Sequence, residues 1–399
     1  MRSASLFLLV GLTTLLLPVA CVDMLEIPLT QRVNVIVVDG TLTNLNEDQK
    51  IRINRSKSDP LTGRFGSLPI TKARVEVIVD SAQVLVFTET DTAGAYRSPA
   101  GFIAKPGHAY QLRFTLSDGT QYRSTTEVMA PVPPIDRVHT KFNPTSLPAI
   151  IGDGSINQYR GAHEITIDFQ DPADQHNYYR WDWLLWEKQA WCHTCINNEY
   201  LISVPDSYPP ILIEDCYGQK YDNGYYVSDY QCRTQCWEIL RNYTTNVFDD
   251  VYSNGGLILG RSVAQIPFYQ QNACLVQLRQ SSLTKRAYQY YRTVEEQTQN
   301  TGGVATTPPT ALVGNIRNVA NGQESVIGYF TASAVSTSLD WIDRRDATGR
   351  PPGLFIALNN RPPSQPYNNG GYGGSKDYPT ALCVPSDGRT PNKPIGWRD

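Results

Sequence analysis

Short runs of alternating apolar and polar residues, each closed by a turn pair, constrain this chain more than any other feature. Residues 50–54 set Ile51 and Ile53 on one side of an extended backbone and polar neighbours on the other, the period of two that a half-buried strand requires. Val33, Val35 and Val37 alternate with Asn34 and Ile36 in a β-branched run expected to stop at Asp39-Gly40. Residues 74–79, 83–88, 94–96, 109–114 and 121–126 read as further strands, divided by turns such as Asp80-Ser81, Pro106-Gly107 and Asp118-Gly119. About seven short strands in about 100 residues predict an immunoglobulin-like β-sandwich over residues 32–130. Pro131-Val132-Pro133-Pro134 then reads as a stiff, extended linker.

The larger remainder, residues 131–399, is predicted to be a β-rich domain with one or two helices, so the fold class is mainly β. Strands are expected over 164–169, 178–185 and 273–278. One helix stands out over about 282–299: Leu283, Ala287, Tyr290, Tyr291 and Val294 recur at helical spacing, Ser281 or Ser282 can cap its start, and Gly302-Gly303 lies beyond its end. Glu295 and Glu296 fall on its exposed face. A weaker second helix is expected around 333–345, and residues 361–379, rich in Pro, Gly, Asn and Tyr, form a loop.

The first segment is an address. Met1-Arg2 carries a positive charge, Leu6 to Leu17 is an apolar run shorter than the roughly 20 residues that span a bilayer, and Leu17-Pro18-Val19-Ala20-Cys21 resembles a lipobox. Residues 1–20 are accordingly expected to be a lipoprotein signal peptide, with Cys21 the acylated mature N-terminus at the head of a tether over 21–31. Several fatty chains such as palmitate on one residue would give stable attachment, because each buried methylene adds about 0.8 kcal/mol. An ordinary secretory signal is the alternative.

An exported chain meets an oxidising environment, and that decides how its cysteines are read. Five of the eight fall within the excursion 192–236, and with Cys383 they make six disulfide candidates: Cys192, Cys195, Cys216, Cys232, Cys236 and Cys383. Zinc held by these thiols and His193 is the competing reading. Cys274 shares a strand face with Val276 and Leu278, which suits a buried free thiol.

Lys and Arg number 35 against 38 Asp and Glu, a balance that argues against nucleic acid as a partner. Tyr179, Trp181, Trp183 and Leu185 alternate and read as core. Trp186 and Trp191 fall outside that set and, with Tyr367, Tyr372 and Tyr378 of the late loop, are the ligand-contact candidates for a glycan or peptide. No nucleophile elbow, zinc helix, phosphate loop or dinucleotide fingerprint is present, so no catalytic residue, cofactor or metal is assigned. His163-Glu164 and the group Asp171, Asp174 and His176 could hold a cation, although solvated or structural roles are the simpler expectation. Asp80-Ser81-Ala82 and Asp91-Thr92-Ala93 resemble a short O-glycosylation sequon.

Several pieces, taken in order, resemble a family of Bacteroidota outer-membrane lipoproteins defined by a domain of unknown function and often encoded beside SusC-type TonB-dependent receptors. They are VVDGTLT (37–43), PITKARVEVIVD (69–80), AGAYRS (93–98), KPGHAYQLRF (105–114), DGTQYRS (118–124), PVPPID (131–136), CWEI (236–239), SLTKRAYQYYRTVEEQT (282–298), PPTALVGNI (308–316), VIGYFTASAVS (326–336) and PNKPIGW (391–397). The resemblance implies a surface-exposed, lipid-anchored accessory protein of a nutrient-uptake receptor, without catalytic residues to carry over. An envelope hydrolase acting on glycans or peptides and a surface adhesin are the alternatives.

Overall fold

The computed structural model describes residues 35–58, 65–149, 159–173, 175–203, 208–218, 226–299, 312–366 and 378–399. Alternation builds the first module from nine strands: β1 (Ile36–Thr43), β2 (Lys50–Ser58), β3 (Phe65–Pro69), β4 (Arg74–Val79), β5 (Gln83–Glu89), β6 (Ala95–Arg97), β7 (Ala109–Thr115), β8 (Gln121–Ser124) and β9 (Glu127–Val128). Ile51 and Ile53 point inward and are fully buried. In β1 the inward residues are Ile36, Val38 and Leu42, the opposite phase from Val35 and Val37. The strand also runs through Asp39-Gly40 without turning. A Cβ on Gly40 would lie 3.1 Å from Ile51 and 3.5 Å from Phe330, so this glycine admits neighbouring core side chains and makes no turn.

The remaining strands are β10 (Arg137–Asn143), β11 (Ala162–Gln170), β12 (Tyr178–Lys188), β13 (Trp191–Ile196), β14 (Glu199–Ser203), β15 (Leu212–Tyr217), β16 (Val227–Cys232), β17 (Trp237–Arg241), β18 (Val247–Asp249), β19 (Leu257–Pro267), β20 (Cys274–Ser282), β21 (Ile316–Asn318), β22 (Val326–Ser333), β23 (Val335–Ile342), β24 (Thr380–Ala381) and β25 (Arg389–Thr390). Helix α1 spans Lys285–Gln299 and α2 spans Leu354–Asn359. The chain is therefore mainly β, with several sheets and a large β-rich unit; the first unit is an eleven-stranded sheet folded as a sandwich around one core. Among the described residues, no helix is long and apolar enough to cross a membrane.

The sandwich is not a contiguous stretch of sequence. β22 pairs in parallel with all of β1, and β21 pairs with β8. Their Ile316, Val326 and Phe330 enter the same core as Ile36, Val77, Leu112 and Phe114. The close of the sandwich depends on small residues. A Cβ on Gly314 would stand 1.9 Å from the Gly328 carbonyl oxygen, and one on Gly328 would stand 1.8 Å from that of Val38, so both backbones approach where only glycine fits. Next to them the Asn315 amide accepts from the Phe330 N–H and donates to the Phe330 carbonyl, both at 2.9 Å, standing in for a strand pair.

In the second unit the sheet β10-β11-β19 packs on the sheet β23-β20-β12-β17-β25. Its core joins Ile165, Ile167 and Phe169 to Tyr179, Trp181, Leu185, Val276 and Leu278. Residues 335–342 form a strand where a second helix was expected around 333–345. Ser, Thr and Val are weak helix formers, and β23 pairs with β20 along its whole length. Helix α1 begins after Thr284, whose hydroxyl accepts from the Ala287 N–H at 3.3 Å; Ser281 and Ser282 belong to β20 and do not cap it. On its outer face Arg292 pairs with both Glu295 and Glu296.

The proline stretch is extended but pinned. The Gln280 side chain, fully buried, accepts from Trp181 Nε1 at 2.9 Å and donates to the Pro133 carbonyl at 3.0 Å. Ser282 Oγ donates to the Ala130 carbonyl, and Val132 packs against both cores. Glu127, also buried, accepts from Thr125, Thr284, Asn315 and Tyr329 across the same junction, and burial pushes its carboxyl upward. Buried polar groups that are all partnered favour one arrangement of the two units.

Candidate functional site

The cysteine-rich excursion has few aliphatic residues, and covalent bonds take their place. Bridges join Cys192 to Cys232, Cys195 to Cys216, and Cys236 to Cys383. Around them pack Tyr200, Tyr230 and Ala381, a small core of sulfur and phenol. All six candidate sulfurs are thus engaged, which leaves none as a thiolate for zinc. His193 Nε2 lies 3.1 Å from Cys216 Sγ and 3.4 Å from Asp215. Cys274 is free and buried, and burial raises its thiol well above the ordinary range.

Two clefts adjoin this stapled region and share Leu240, Arg241, Tyr243 and Leu358 in their walls. The first, about 680 Å³, is lined by Trp191, Phe355, Glu238, Asp387 and Arg389. Trp191 and Phe355 are 5.7 Å apart at their ring centroids. Phe355 is held by α2, which buries Leu354 and Phe355 together, and by the Arg361 guanidinium 5.1 Å above the ring. Arg361 in turn meets the fully buried Asp229 at 2.6 Å; that guanidinium and the Ser364 N–H keep the Asp229 carboxyl below its usual range despite burial.

The second cleft, about 660 Å³, is lined by Trp183, Tyr269, Pro148, Asn246, Arg261 and Glu295. Arg261 stacks over Trp181 at 4.9 Å and Phe248 at 5.0 Å, and burial lowers its pKa. Burial also pushes the Tyr269 phenol up to about 12, so it stays protonated as a donor. Tyr243 stands between the two clefts, 98% exposed. Aromatic faces interleaved with amides and guanidinium groups suit sugar rings or extended peptides. The acidic groups lining the clefts are held in ion pairs: Glu238 with Arg389, Asp387 with Lys50 and Arg52, and Glu295 with Arg292. Lys50 chiefly holds the Asp387 carboxyl below its ordinary range.

Of the aromatic candidates, Trp191 lines the first cleft. Trp186 does not: it is half-buried on the outer face of β12, opposite Leu275 of β20 and Ile239 of β17. On that sheet face Trp397 packs edge-on against both Trp237 and Trp341, so the terminal PNKPIGW segment covers part of it. Tyr378 is 45% exposed and lines neither cleft. Cys21, Tyr367, Tyr372, Asp174 and Gly302-Gly303 lie outside the described residues. Tyr179, Trp181 and Leu185 are core, as their alternation implied, while half-buried Trp183 reaches a cleft wall. The two sequon triplets sit in exposed turns.

Sequence reasoning passed over Tyr243, Phe355, Arg241 and Arg389. Tyr243 alone carried a local signal, a ring set among polar residues in Asn242-Tyr243-Thr244-Thr245-Asn246. The others become neighbours only through the pairing of β17 with β25 and the return of α2.

Comparison with curated proteins and with solved structures returns no match. A family model does match, over residues 22–338, and by that match, which covers most of its length, the chain belongs to the family described as Domain of unknown function (DUF4249).

Proposed function

We propose that the chain is an accessory lipoprotein of the bacterial outer membrane, anchored through acylated Cys21 and displayed at the surface. In this reading it binds a glycan or peptide in the clefts beside Tyr243 and docks on a SusC-type TonB-dependent receptor, with a binding role and no catalytic one. The observation that carries the docking is the β14–β15 hairpin. It pairs with no third strand in the described structure, is tied down by the Cys195–Cys216 bridge, and exposes Tyr208 at 100%, Leu212 at 76% and Ile211 at 56%. A two-stranded ribbon is marginal alone, and clustered apolar residues on one mark a surface that is covered by a partner. A lipid tether supports the reading, because confinement to the membrane plane raises the effective concentration at a receptor without a tight interface. The family match opens at residue 22, directly after Cys21.

The test is extraction in mild detergent followed by affinity purification of the native chain, of Cys21→Ser, and of a variant carrying Ile211→Asp with Leu212→Asp. A barrel receptor should accompany the native chain and be lost from the hairpin variant, while Cys21→Ser should leave the membrane fraction. A chain that emerges alone under repeated gentle extraction refutes the receptor role.

A further inference from the structure

We propose that His176, Asp249 and Asp250 form a site for one divalent transition-metal ion of the zinc type. The residues come from two stretches that the fold brings together, the turn between β11 and β12 and the end of β18. One ligand atom from each lies within 4.8 Å of the others. Asp250 is the telling member. Its side chain is wholly buried; Oδ2 accepts the Asn177 N–H at 2.8 Å, but Oδ1 receives no hydrogen bond, although His176 Nε2 stands 3.2 Å away. That ring nitrogen is hydrogen-bonded to Asp249 Oδ1 instead.

A bare carboxylate oxygen in a buried position is costly unless a cation or donor completes it. The cost is raised here by Asp171, 1% exposed, whose own oxygens are taken by the Tyr179 hydroxyl and the Gly255 N–H. An ion bound at Asp250 Oδ1 would answer both.

The donor set selects the class of ion. One imidazole nitrogen with two carboxylates suits zinc and its neighbours, whereas calcium and magnesium take oxygen donors. At metal–ligand distances of 2.0–2.2 Å, tetrahedral ligands stand about 3.4 Å apart. The His176–Asp250 separation of 3.2 Å is already close to that, while Asp249, hydrogen-bonded to the same ring nitrogen, would move outward as the ion replaces that bond. The imidazole is oriented by stacking on Tyr178, with centroids 4.7 Å apart. The His176 side chain is 44% exposed and Asp249 26%, which leaves an entry path and an outer position for water. Binding requires neutral His176 to turn its Nε2 lone pair, in place of its proton, toward the ion.

The experiment uses the full oxidised chain, stripped with a chelator, dialysed against zinc chloride and measured for metal per chain. One zinc per chain is expected. His176→Gln and, separately, Asp249→Asn should each weaken binding at least tenfold, while His193→Gln leaves it unchanged. Two substitutions at partly exposed positions keep the test open if either variant folds poorly. No zinc above the dialysis buffer overturns the proposal. So does zinc that survives both substitutions or is lost with His193→Gln, since the ion would then sit elsewhere, and so does retention of calcium in preference to zinc.

Discussion

Breaking the ion pair between Glu187 and Arg344 should destabilise the protein more than removing both partners. The two side chains are fully buried and meet through both carboxylate oxygens and both terminal guanidinium nitrogens. Gln270 Nε2 also donates to Glu187 at 2.8 Å, and Arg344 donates to the carbonyls of Gln270 at 3.0 Å and Asn272 at 2.7 Å. Removing one partner leaves the other as an uncompensated buried charge, which costs about 3–5 kcal/mol. Glu187→Met and Arg344→Met should each lose about that much, a large part of a typical 5–15 kcal/mol. The double substitution strands no charge, only carbonyls without a donor, and should lose about 2–4 kcal/mol in total. The coupling is then several kcal/mol, read from urea unfolding followed by tryptophan fluorescence.

The two single variants should also differ in pH dependence. Burial pushes the Glu187 carboxyl upward, and Arg344 is the chief opposing influence. Without Arg344 the folded-state pKa rises further above the unfolded value of about 4.3. Destabilisation is therefore full above the folded pKa and shrinks as pH falls through it, because the folded form takes up a proton first. Glu187→Met should show no such recovery, since a guanidinium keeps its proton throughout. Losses that add within about 0.5 kcal/mol, or equal pH slopes in the two single variants, would refute the reasoning.

Two further outcomes follow from the same structure. Cys236 and Cys383 are 147 residues apart and Cys195 and Cys216 only 21, so loop entropy gives about 5 kcal/mol for the first bridge and about 3 for the second. Paired Cys→Ser variants compared by calorimetry should keep that order, and a reversed order sinks the entropic account. His163 is 1% exposed beside Asp346, and burial lowers its pKa. The unfolded chain then binds the proton more readily, so stability present above about pH 6.5 declines as pH falls through that value, by at most about 1.4 kcal/mol per unit. His163→Gln should flatten the fall between pH 7 and 5, and parallel curves would show that this ring does not contribute.

Much of the chain was legible in its order of residues because the signals were local. Period-two alternation with Gly or Asp at the turns located β4, β5 and β7 closely and the first half of β2, and helical spacing from Leu283 to Val294 located α1. Where two local signals competed, pairing decided. Asp39-Gly40 reads as a turn, yet Phe330, nearly 300 residues away, needs the space that Gly40 leaves. Residues 335–342 have no strong local preference and became strand because β20 offered an unpaired edge.

By itself the sequence determined the mainly β class, which stretches extend, where the helix lies and which cysteines cluster, since each follows from neighbours a few residues apart. Tertiary structure alone decided that residues 316–334 complete the first sandwich, how the six sulfurs pair, that Tyr243, Trp191 and Phe355 share clefts, and that Asp249 and Asp250 reach His176. The reason is physical: each of these depends on contacts between segments about 20 to nearly 300 residues apart, and the free energy that selects such contacts comes from burying surfaces that no local pattern encodes.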